Sequence, residues 1–169
     1  MLDPGRRYEA DRYLASDRSH ARLDPATVSI DIVEFERLAR AALDAVRTGS
    51  ADAVPLLQAA ASLHPAPFLA DAGADDWADD TRDELLRLAV EVKRTLAARL
   101  VEAGETEQAV GWLMAVIADD PYDEPTHHEL IRVLANARRH GEARRAHRAY
   151  TARMAELEVE TAPFDLIVG

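Results

Sequence analysis

The sequence contains no cysteine, which excludes a disulfide framework, a zinc ribbon and a thiol nucleophile. Aromatic residues make up only 5 % of the chain, too few for the inner faces of a β-sandwich. No apolar run approaches the length of a membrane span, and the opening MLDPGRRYEADRYL lacks the hydrophobic centre of a signal peptide. There is no glycine-rich phosphate loop, no GxSxG elbow and no cofactor-binding pattern. These absences predict a soluble cytoplasmic protein with no membrane partner, no cofactor and no catalytic activity.

What is present is helical. Hydrophobic residues account for 48 % of the 169 positions, with alanine and leucine supplying most of them. Alanine and leucine are strong helix formers, and alanine lets helices approach closely. The length suits one domain with a real core. The net charge of −11 argues against attraction to nucleic acid over the whole surface. That charge is unevenly spread. Residues 132–153 carry seven arginines and one acid, Glu142, whereas residues 71–84 carry seven acids and one base, Arg82.

The most informative stretch runs from Leu96 to Met154 and reads as two successive helix-turn-helix units. Gly104 opens the first turn, with Ala109 a few residues into the following helix. Arg138-Arg139-His140-Gly141 makes the second turn, with Ala143 in the corresponding place. Ala109 and Ala143 stand 34 residues apart (143 − 109), the period of a tetratricopeptide-type repeat. A small residue is needed there because a larger one would hold the crossing helices apart. Pro121 ends the helix between the turns, having no N–H to donate.

Periodicity predicts further elements. Ile32, Phe35, Leu38, Ala39, Ala42, Leu43 and Val46 form one stripe of a helix over 31–47, capped by Ser29 or Asp31. A second helix covers 52–63 and stops at His64-Pro65-Ala66-Pro67. A third, over 81–103, is apolar on two sides and therefore lies between neighbours. Three more follow over 106–118, 124–137 and 141–157. Tyr13-Leu14 and Val28-Ser29-Ile30 read as short strands, and Asp24-Pro25 as a turn. Residues 68–80 break the periodicity, with Phe68, Leu69 and Trp77 pinned to the helices and Asp75, Asp76, Asp79 and Asp80 facing water. The expected organisation is a polar lead-in over 1–30, a helical domain over 31–163 and a tail over 164–169.

His127 and His128, adjacent on a helix, point about 100° apart and cannot chelate one ion together. His140 and His147 lie two turns apart, so no metal site is expected. Trp77 and Trp112 suit core anchoring better than ligand stacking. The cationic cluster Arg138, Arg139, Arg144, Arg145 and Arg148 has two readings. One is a solvated outer face; the other is a docking site for an acidic protein surface or the DNA backbone, either of which a guanidinium fork grips well.

Several separated motifs resemble the bacterial transcriptional activator domain, the helical half of the Streptomyces antibiotic regulatory protein family. They are Phe35-Glu36-Arg37-Leu38, Pro67-Phe68-Leu69-Ala70-Asp71, Trp77-Ala78, Thr81-Arg82, the run Asp120 to His127, Ala143 and Ala149-Tyr150, all in order. The resemblance implies an all-α, tetratricopeptide-like array of about six or seven antiparallel helices in a right-handed superhelix. It also implies a module that self-associates, as a homodimer, or touches the transcription machinery, RNA polymerase included. In that family an OmpR-type winged helix precedes the module and binds DNA; there is no room for one before residue 31, so DNA contact by that route is not expected of this chain. The chain is then either an excised fragment or a module used differently, and a generic repeat adaptor with a concave peptide groove is the second reading. The family's last helix ends Glu-Leu-Gly-Val-Glu-Pro, whereas this chain reads Glu156-Leu157-Glu158-Val159-Glu160-Thr161-Ala162-Pro163, without the glycine.

Overall fold

The computed structural model describes residues 14–16, 21–23, 31–63 and 79–169. The readings placed on Ser29, Val28–Ile30, Asp24-Pro25, residues 64–78 and Trp77 lie outside them. Two short strands, β1 (Leu14–Ser16) and β2 (Ala21–Leu23), pair antiparallel with Leu14 opposite Leu23. The first matches the expected strand at Leu14. Among the described residues seven helices follow: α1 (Asp31–Thr48), α2 (Ala53–Ser62), α3 (Asp79–Glu102), α4 (Thr106–Asp119), α5 (Glu124–Asn136), α6 (His140–Ala155) and α7 (Phe164–Val168). The array is all-α in its architecture, as expected, with the β-hairpin ahead of it. Helix α3 begins two residues earlier than its apolar pattern, because Asp79 and Asp80 occupy its first turn, where carboxylates meet the positive end of the helix dipole.

The helices pack as three hairpins, α1 with α2, α3 with α4 and α5 with α6, joined through α2–α3, α1–α3 and α4–α5 contacts. Ala109 and Ala143 are fully buried at equivalent places in the second and third hairpins. One core joins α1, α2 and α3 around Phe35, Leu57, Val92 and Leu96. A second holds α4 to α5 and α6 around Leu113, Leu134 and Ala143, and Trp112 packs against both. Trp112 is thus a core anchor. Lys93 is 4 % exposed and ion-paired to Asp119, which ties the middle of α3 to the end of α4.

Four helix ends close with the same backbone device. At each, one residue adopts positive φ, and the next N–H reaches back five residues to a carbonyl of the last turn. Gly49 (φ 68) and Gly104 (φ 80) do so in the first two hairpins. Their following amides, Ser50 and Glu105, donate to Ala45 and Leu100. Arg138 (φ 61) stands 34 residues after Gly104, and Arg139 donates to Leu134 at 2.9 Å. Glu158 (φ 57), where the family has its glycine, lets Val159 donate to Met154 at 3.2 Å. The helix end therefore survives the missing glycine, but in a conformation that costs a residue bearing a Cβ. The turn before α6 is consequently Arg138-Arg139, while Gly141 sits inside the helix.

Residues 164–169, set apart as a tail, carry α7. It packs on α5, where a further hairpin would begin, and buries Ile167 beside Tyr150 and Met154. Pro163 at the helix entrance explains the periodicity break, and α7 is too short to show a repeat of its own.

Candidate interaction surface

Helix α6 turns Ala143, Tyr150 and Met154 inward. Residues at 100° steps from these place Arg144, Arg145 and Arg148 on the opposite arc, and all three are exposed. The five arginines have different surroundings. Arg139 is a structural clamp: its guanidinium spans Glu142 at 2.6 Å on its own helix and Glu107 at 2.6 Å on α4. The hydrogen bond from Arg139 holds the Glu142 carboxyl below the usual carboxylate range. Arg144 lies over the Phe164 ring, 4.8 Å from its centre, and so covers the start of α7. Arg138 occupies the strained turn. Arg145 and Arg148 are exposed in the middle of the helix, and the charge of Arg145 helps to lower the Glu142 carboxyl.

Behind that face, Tyr150 is fully buried and ringed by histidines. His127, His128 and His147 lie 5.4, 5.1 and 6.0 Å from its ring centre. Its hydroxyl donates to Glu124, and burial followed by that bond pushes its pKa up to about 12. His127 and His147 use Nε2 on the Pro121 and Ala162 carbonyls at 2.9 and 3.0 Å. These histidines pack and tie connections together. Among the described residues, no group of three or more histidines and acids is disposed to hold a metal ion.

Recesses mark the surface of the described residues. One of about 680 Å³ lies between α3 and α5, with Leu86, Val90 and Arg94 facing Asp123, Pro125 and Glu129. A shallower one between α1 and α3 continues it, since both include Glu91 and Thr95. The first helices of the three hairpins therefore share one face. The third recess, about 380 Å³, lies between α4, α5 and α6. Its floor is Leu130 and Leu134, its walls Val110, Met114 and Ile117 on one side and Ala146 and Ala149 on the other, and Arg139, Glu142 and Arg145 stand at its edge. Nothing in the residue pattern marks this groove. Met114 fits the apolar stripe of α4 equally well as core, yet it is 58 % exposed.

The described residues thus form a helical array of paired hairpins with a basic outer helix and apolar recesses. The profile of the bacterial transcriptional activator domain matches residues 30–164. The chain belongs to that family and is a module of a transcription regulator. No curated protein sequence and no solved structure matches it significantly.

Proposed function

We propose that the chain is the effector module of a bacterial cytoplasmic transcription regulator and works by binding macromolecules, without catalysis. Its partners are the transcription machinery, RNA polymerase in particular, and a second copy of itself. The observation that carries this reading is the outward arc of Arg144, Arg145 and Arg148 on α6 of an otherwise acidic chain. Exposed arginines on a rigid helix suit the carboxylates of a protein surface, since each fork takes two oxygens. DNA phosphates are a weaker fit, because a net charge of −11 repels the duplex around any local patch. DNA contact belongs to a winged-helix domain, which supplies the address while this module supplies the effect.

A tethering experiment tests the proposal. Fused to an unrelated DNA-binding domain and placed upstream of a weak promoter, the chain raises reporter transcription. The double variant Arg144→Glu/Arg148→Glu loses that effect while keeping the helical circular dichroism of the parent. A folded double variant that activates as strongly as the parent removes the α6 face from the mechanism.

A further inference from the structure

We propose that the groove between α4, α5 and α6 receives the segment Glu156–Glu160 of a second copy, in a reciprocal dimer. This deepens the reading of the chain as an interaction module and rests on it. The groove is apolar along both walls and its floor, with Met114 more than half exposed; at its edge Arg139 is engaged by Glu107 and Glu142, which leaves Arg145 as the exposed cation. A solvent-facing apolar trough of this kind calls for an occupant with apolar side chains and acidic flanks.

The chain itself presents such a segment. In Glu156-Leu157-Glu158-Val159-Glu160, apolar and acidic residues alternate, and Leu157 and Val159 are 50 % and 46 % exposed. Glu156 is held at home by Tyr122 at 3.0 Å and Arg153 at 2.9 Å. Glu158 and Glu160 are exposed beyond it. The positive φ of Glu158 turns the backbone out of the helix, so that Leu157 and Val159 project from an irregular stretch. Two copies at −11 each repel in most orientations. Setting the acidic stretch against the groove edge at Arg145 is an arrangement in which charge favours contact. The segment begins seven residues after Ala149, about 10 Å along the helix direction. Groove and segment therefore lie close together along α6, and a twofold axis beside them lets each serve the other.

Sedimentation of this chain from low micromolar to a few hundred micromolar tests the proposal. The parent moves from 18.6 kDa towards twice that mass as concentration rises. Met114→Glu, which puts an acid into the groove, stays monomeric throughout. So does Leu157→Ser/Val159→Ser, which removes the apolar content of the segment. All these sites are at least 46 % exposed, so folding is expected to persist, and circular dichroism checks it. Mixing the two variants restores a heavier species, because a mixed dimer keeps one intact groove–segment pair. A parent that stays monomeric overturns the proposal and leaves the groove to a different occupant, such as an acidic helix of another protein. Variants that still dimerise, or a mixture no heavier than its parts, overturn it equally. The tethering test turns on Arg144 and Arg148, which a monomer can present, so the arginine face and the groove fail separately.

Discussion

Replacing Glu158 by glycine is expected to stabilise the protein, although it deletes a side chain. Glu158 holds φ at 57 to close the end of α6. For a residue with a Cβ, that left-handed conformation costs roughly 1–2 kcal/mol. Glycine adopts it freely but has more freedom to lose on folding, a cost of roughly 0.5–1 kcal/mol. The difference leaves a net gain of roughly 0.5–1 kcal/mol. Removing an acid from the negative end of the helix dipole adds a few tenths of a kcal/mol. For a chain of this length, the midpoint of thermal unfolding should then rise by about 1–4 °C. Glu158→Gln separates the contributions, since it removes the charge and keeps the Cβ, and should recover only the dipole part. Gly104→Ala, at φ 80 with open space around its Cα, should move the other way by a similar amount. Thermal unfolding followed by circular dichroism, at concentrations where the chain is monomeric, reads all three. If Glu158→Gly is neutral or destabilising while Gly104→Ala is tolerated, the argument from backbone strain is refuted.

Two further outcomes follow from the core. Tyr150 should ionise near pH 12, and Tyr150→Phe should delete that step from the phenolate absorbance titration. Its pKa is raised in the folded state, so the unfolded chain loses the proton first. The stability it contributes is whole below about pH 10 and is lost as pH climbs through 12. Leu96→Ala, at a fully buried position where α3 meets the first core, should cost about 2–5 kcal/mol in denaturant unfolding. A loss below about 1 kcal/mol would mean that α3 is not sandwiched between its neighbours.

Much of this fold is legible in the order of residues. Apolar steps of three and four located six helices to within two or three residues at each end, and the 34-residue interval aligned the turns at Gly104 and Arg138. The interval carried more than it announced, since it also transfers the positive φ from a glycine to an arginine. Local pattern could not show that. The backbone bond from Arg139 to Leu134 closes the turn whatever the side chain, so identity at that position is a weak signal. Helix α7 escaped notice because five residues hold little more than one turn. The candidate surface was partly visible. Helical geometry alone placed Arg144, Arg145 and Arg148 on one outer arc. It could not foresee that Arg139 is engaged by Glu107 and Glu142, because Glu107 lies 32 residues away and meets it only when the hairpins stack. The groove beside α6 was hidden for the same reason: its walls come from three helices, each with an ordinary amphipathic stripe.

Binding to purified bacterial RNA polymerase holoenzyme tests the central claim most directly. Immobilised polymerase should capture the parent chain reversibly, with affinity falling as salt rises. Arg144→Glu/Arg148→Glu should bind at least tenfold more weakly, a loss of about 1.4 kcal/mol. No binding by the parent, or equal binding by parent and folded variant, would contradict the account.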